Sequence, residues 1–151
     1  MTSDKLLCVL LLIILSPINH AKIIARTSET WEGQPIVYPK GEAEITALHL
    51  TFEQDVIVPN HCHPMPGAGY ILKGSIEVTT ENGDKNLMKA GEPFFEVINT
   101  FHKGRVVEGP VEILVFFLGV KGQKVSHLEK DQAQCGYSTK IYLQTGQQKA
   151  Y

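Results

Sequence analysis

Charge of either sign is in short supply in this chain of 151 residues. Fourteen Lys and Arg stand against 16 Asp and Glu, for a formal charge of −2, and no basic run stands out. The electrostatic footprint that nucleic-acid binding needs is therefore missing. Helical periodicity is missing too. Beyond Leu15 no segment repeats its apolar residues at three- and four-residue spacing, which argues against a helical bundle. There is no internal repeat, and the length suits one domain rather than two. Cysteine is scarce, at three residues. The longest apolar run, Leu6 to Leu15, falls short of the ~20 residues that a bilayer-spanning helix requires.

That run follows Lys5 and precedes Ser16-Pro17, the layout of the apolar core of an export signal. Residues 1–21 are accordingly expected to form a signal peptide, cleaved after Ala21 or alternatively after Ala25. The mature protein is then periplasmic or secreted, with no membrane contact; an uncleaved anchor is the alternative. Cys8 leaves with the signal. Cys62 and Cys135 remain, and in an oxidising compartment they either pair or persist as two thiols. Pairing requires their Cα atoms to approach within ~7 Å.

Thirteen glycines and eight prolines recur between short apolar runs, which is the punctuation of a turn-rich β protein. Strands are expected over Glu44–Phe52 and Asp55–Pro59. Two more should meet at Lys73-Gly74, and another pair should flank Asn82-Gly83, a strong hairpin signal. Phe94–Ile98 and Val111–Leu118 complete the set. The last is apolar on both faces, as a central or interface-covered strand is. Leu128–Gln134 is the one stretch that suits a short helix, and Lys140–Tyr151 reads as loosely ordered. The sum is an all-β, single-domain sandwich or barrel.

Within it, Pro59-Asn60-His61-Cys62-His63-Pro64 stands out. In an extended strand, side chains two apart share a face, so His61 and His63 reach to one side and Cys62 to the other. Two neutral imidazoles converging on a point suit a divalent transition metal; the plainer alternative is a pair of surface histidines at a strand end. A second candidate stretch, Gly91 to His102, runs as a strand into the Asn99-Thr100 loop and could swing the His102 imidazole towards the first pair.

At these residues the chain, from about Glu44 to Gly119, resembles a cupin. Of that family's first motif it has His61, His63 and Gly74 at matching distances; of the second it has Gly91 and His102. The resemblance implies a cupin double-stranded β-helix, or jelly-roll barrel, over residues 31–127, with 128–151 as a C-terminal extension. It also implies His61, His63 and His102 as metal-ligand positions. Departures are clear. Asp55 stands where the first motif opens with Gly, and Gly67 stands where it places a carboxylate ligand. Val97, Asn99 and Val106 replace the Pro, Gly and Asn of the second motif.

Three imidazoles without a carboxylate leave the charge of a divalent ion uncompensated and its coordination open, which suits Fe, Mn, Ni, Cu or Zn. Glu96, an acid in an apolar run leading to His102, is the candidate replacement: facing inward it is a ligand, a partner of a histidine or a general base, and facing outward it is a solvated or interface acid. Gly67 and Gly69, if they face inward, should leave room beside the metal for a small ligand. Ile71, Ile76, Val78, Phe94 and Phe95 would line it. The function implied by the resemblance is a metal-dependent oxygenase acting on a small molecule. A zinc-type hydrolase or isomerase and a non-catalytic binding module are the alternatives.

Overall fold

A computed structural model describes residues 21–131 and Cys135. The proposed signal run and most of the C-terminal extension lie outside these residues. Seven strands make up the fold: β1 (Ala43–Phe52), β2 (Ile57–Cys62), β3 (Gly67–Thr80), β4 (Lys85–Lys89), β5 (Pro93–Phe95), β6 (His102–Val120) and β7 (His127–Leu128). A 3-10 turn, Glu129–Asp131, follows β7 within the Leu128–Gln134 stretch where a short helix was expected, and residues 132–134 of that stretch lie outside the described residues. Among the described residues no helix is long and apolar enough to cross a membrane.

All pairings are antiparallel, in the order β4-β3-β6-β2-β7, with β1 also on β6 and β5 also on β3. The long β6 serves both halves of the barrel. Its first half pairs with β2, placing Ile57 opposite Arg105 and His61 opposite His102. Its second half pairs with β1, from Phe52 opposite Val111 to Ala43 opposite Val120. β3 runs beside it throughout, from Thr80 opposite His102 to Gly67 opposite Phe117. Two long strands that change partners midway roll a continuous sheet into a jelly roll.

Strand alternation fills the interior. Ile76 and Val78 of β3 and Ile113, Val115 and Phe117 of β6 are buried, while Leu48, Leu50 and Phe52 of β1 pack against them. The two strands expected to meet at Lys73-Gly74 are instead one. Gly74 takes φ +70°, and a Cβ there would collide with the carbonyl oxygens of Glu108 and Pro110. The ladder shifts register on either side of it. An isolated glycine inside a strand pattern marks a bulge at a close backbone approach as readily as a turn, and here it is the bulge. The Asn82-Gly83 hairpin forms as expected, with Gly83 at φ +91° and the Thr80 amide donating to Asp84 O at 2.9 Å.

On the far side of β2, Cys62, Phe101 and Cys135 form a separate buried cluster. Cys62 and Cys135 are joined as a disulfide, with Cα atoms 6.5 Å apart, so the alternative of two thiols does not hold.

Candidate metal centre

The three histidines come from two strands and the turn that leaves one of them. His61 and His102 are direct cross-strand partners, so both side chains stand on the same face of the sheet. His63 lies just past the end of β2, two residues on from His61. Its carbonyl accepts from the Asn99 amide at 2.8 Å, which ties the turn to the loop delivering His102. The rings converge, with centroids 4.4 Å apart for His61 and His102, 4.9 Å for His61 and His63, and 5.1 Å for His63 and His102.

Each imidazole is held by a backbone carbonyl. His61 Nδ1 donates to Pro59 O at 2.7 Å, His63 Nδ1 to Val125 O at 2.6 Å, and His102 Nδ1 to Thr100 O at 3.0 Å. A carbonyl oxygen can only accept, so every Nδ1 carries its hydrogen. In a neutral ring the lone pair is then on Nε2, three times over. Ligand atoms of the three rings all lie within 4.8 Å of one another. Donors around one metal at about 2.1 Å sit roughly 3–3.5 Å apart, so small ring rotations close the set. The donor set fits a divalent transition metal.

Burial keeps the His63 and His102 rings neutral. Loss of solvation, reinforced by the nearby His61, pushes the pKa of His63 down to about 3, against a raising contribution from the Val125 carbonyl. Burial likewise lowers His102 to about 4, with the Glu96 carboxylate pulling it back up. Neutral imidazole is the metal-binding form.

Glu96 turns inward. It follows β5, its amide donates to Gly67 O at 2.8 Å, and its Oε2 lies 3.8 Å from His102 Nε2. Burial raises its pKa, opposed by His102 and His61. Parity along the strand could not place this side chain, because the chain leaves the strand at Phe95. Gly67 makes the placement possible: a Cβ at Gly67 would stand 2.9 Å from Glu96 Cγ and 2.9 Å from the Phe117 ring. The carboxylate absent from position 67 is thus matched by one reaching across from position 96.

The expected free space at Gly67 and Gly69 is not there. Glu96 and the Phe117 ring occupy the first gap, and the Phe94 ring lies where a Cβ of Gly69 would go. Open space lies elsewhere, in a cavity of about 190 Å³ in the barrel interior. Ile76, Val78 and Phe94 line it as expected; Ile71 and Phe95 do not, and Leu50, Phe52 and Phe117 do. Lys103 and Arg105 face solvent, with Arg105 Nη2 donating to Glu77 Oε1 at 3.3 Å.

Sequence reasoning missed the groups that hold the site from behind. Val125 contributes only a backbone oxygen, which has no signature in sequence. The segment before β1 supports the loop after β5: Gln34 Oε1 accepts from the Ile98 amide at 3.1 Å, and Glu32 Oε1 accepts from the Thr100 hydroxyl at 3.0 Å. A polar residue 60-odd positions away carries no pattern that would announce such a contact.

A barrel with three inward, lone-pair-bearing imidazoles defines a β protein able to hold a metal in its interior. Residues 48–117 match the family model for the cupin domain. That match spans 70 of the 151 residues, and the fold is that of a cupin double-stranded β-helix. No curated protein matches the chain by sequence. Among solved structures, the chain is similar to the DMSP lyase DddQ from Ruegeria pomeroyi, at 21% identity over 65% of this chain and 47% of that one, with a TM-score of 0.47. It is similar to KdgF from Halomonas sp. at 21% identity, over 56% of this chain and 79% of that one (TM-score 0.46). An RmlC-like cupin from Shewanella frigidimarina matches at 18% identity, over 65% of this chain and 95% of that one (TM-score 0.45). The chain spans less than half the length of the DMSP lyases it matches.

Proposed function

We propose that this protein is an exported, metal-dependent cupin enzyme acting on a small molecule, with oxygenase chemistry at a divalent ion held by His61, His63 and His102. The observation that carries the reading is the set of three Nδ1–H to carbonyl bonds, which leave the Nε2 lone pairs of three clustered rings free at one region of the barrel cavity. Bound there, a redox-active divalent metal supplies Lewis acidity and one-electron chemistry. The chain supplies the rest. Three carbonyl-anchored rings fix the tautomer and direction of the donors. The apolar wall excludes water from the reacting atoms. Glu96, beside His102, takes the proton from the donor atom of an incoming ligand and returns it to the product.

Fe, Mn, Ni, Cu and Zn all suit imidazole donors, so the metal found decides between oxygenase chemistry and a zinc-type hydrolase or isomerase. The decisive experiment is metal analysis of protein purified from the exported fraction, followed by turnover assays with small phenols, thiols and keto-acids. Stoichiometric Fe, Mn, Ni or Cu with turnover supports the oxygenase. Stoichiometric zinc moves the reading to hydrolysis or isomerisation, and metal without turnover leaves a binding module. No stoichiometric metal defeats the reading.

Two further proposals belong with this one. The Cys62–Cys135 disulfide supports export, because such bridges persist in oxidising compartments. Phe116 on the outer face of β6, 42% exposed, supports a homodimer covering that face. A monomeric mass by light scattering would overturn the dimer.

A further inference from the structure

The cavity wall is sharply divided. Its polar side chains are His61, His63, His102, Glu96 and Ser126. The three rings lie within 5.1 Å of one another, Glu96 is 3.8 Å from His102, and Ser126 follows the residue whose carbonyl holds His63. Everything else on the wall is apolar or glycine, including Leu50, Phe52, Ile76, Val78, Phe94 and Phe117. Among the described residues, no Lys, Arg, Asn or Gln side chain lines it.

Three consequences follow for a ligand. Its body must be apolar, because a hydroxyl or amide buried against this wall finds no partner and loses a large part of its hydration energy. A second charged group is excluded more strongly, since no cation on the wall would meet it. Its one polar head must be anionic: three neutral imidazoles and one carboxylate leave a divalent ion with a net positive charge, and a monoanion balances it. Size is also bounded. An apolar cavity of 150 Å³ admits benzene, so one of about 190 Å³ takes a single ring or an equivalent short chain with its head.

We propose that the cavity is selective for apolar monoanions, with one carboxylate, phenolate or thiolate head at the histidine cluster and an unsubstituted monocyclic or short aliphatic body against the β1, β3 and β6 wall. Polyhydroxylated acids, dicarboxylates and zwitterions are rejected by the wall. This rests on the metal-site reading above, and the experiment separates the two. The full mature protein is stripped with a chelator and reloaded with Co(II), whose visible absorption reports its coordination. The loaded protein is then titrated with benzoate, benzyl alcohol, isophthalate and 3,5-dihydroxybenzoate.

Benzoate is expected to shift the Co(II) bands and to bind at least tenfold more tightly than each of the other three. Benzyl alcohol tests the charge of the head, isophthalate a second charge, and 3,5-dihydroxybenzoate a polar body. Isophthalate or 3,5-dihydroxybenzoate binding as tightly as benzoate overturns the proposal while leaving the metal site intact. Equal binding of benzyl alcohol overturns the requirement for an anion. Failure of the protein to take up Co(II) at all removes the metal reading itself, and this inference with it.

Discussion

Residues 61 to 63 divide the molecule into two interiors. On one face of β2, His61 reaches into the barrel, with His63 joining it from just past the strand end, and both meet His102 and Glu96 beside an open cavity. On the other face, Cys62 is closed against Phe101 and Cys135, with no exposed surface and a covalent bond across it. The first interior is hollow, with a cluster of imidazoles held by hydrogen bonds to backbone against an otherwise apolar wall; the second is apolar throughout, filled and cross-linked. Strand alternation is what lets neighbours in sequence serve such different ends. Stability and chemistry are thereby assigned to opposite sides of the same strand, and they can be perturbed separately.

The separation is broken hardest from the disulfide side. Replacing both cysteines (Cys62→Ser with Cys135→Ser) removes a cross-link of 73 residues, for a loss of about 4 kcal/mol in the chain-entropy model. Thermal unfolding should fall by many degrees, while the metal affinity of the folded protein changes less than tenfold. Equal damage to both would show that the two sides are one unit. From the other side, His102→Ala should reduce metal affinity by more than about 100-fold, since loss of a mere supporting partner already costs 10–100-fold. Its melting temperature without metal should change far less than that of the cysteine variant. Competition with a chromogenic chelator measures the first quantity and calorimetry the second.

Acidification probes the histidine side alone. His63 and His102 have folded-state values of about 3 and 4, below the 6.5 of an unfolded histidine. Between those limits the unfolded chain binds more protons, so the metal-free protein loses stability as pH falls from about 6.5 towards 3. Glu96 works in the opposite sense. Its raised value gives stability at low pH that is lost as pH climbs through its folded pKa, and it offsets part of the histidine effect. A scan of chelated protein should show a lower melting temperature at pH 5 than at pH 7; a flat profile would mean the rings are solvated. The smallest effect sharpens the comparison within the site. Gly67→Ala presses a methyl onto Glu96 Cγ and the Phe117 ring, and should cost about 1–3 kcal/mol of stability with some loss of metal affinity. Unchanged affinity would show that the site is indifferent to where Glu96 stands.

The histidine side was the more legible of the two. Period-two alternation placed His61 and His63 together, and the resemblance to the cupin motifs, carried by Gly91 and His102, implied the third ring. Turn chemistry at Asn82-Gly83 was equally plain. What escaped was whatever depends on contact across the barrel. Gly74 reads the same as a turn or a bulge until Glu108 and Pro110 are seen pressing on it. Gly67 and Gly69 read as vacancies until Glu96, Phe117 and Phe94 are found filling them. Glu96 lay beyond parity, because the strand stops one residue before it. Pairing of Cys62 with Cys135 depended on a distance that no local pattern encodes.

The disulfide has a further consequence for the chain as a covalent object. Counting along the backbone, the bridge turns residues 62 to 135 into a ring, and His63, Glu96 and His102 are all members of it, with His61 one bond outside. The 81–84 hairpin tip is on the same ring and is exposed. A protease that cuts there opens the ring into a linear chain without dividing the protein in two. His63 stays attached on one side of the cut, Glu96 and His102 on the other, and the sulfur bridge still joins them. That arrangement lets the molecule be nicked at this exposed turn and keep its whole set of candidate ligands on one molecule.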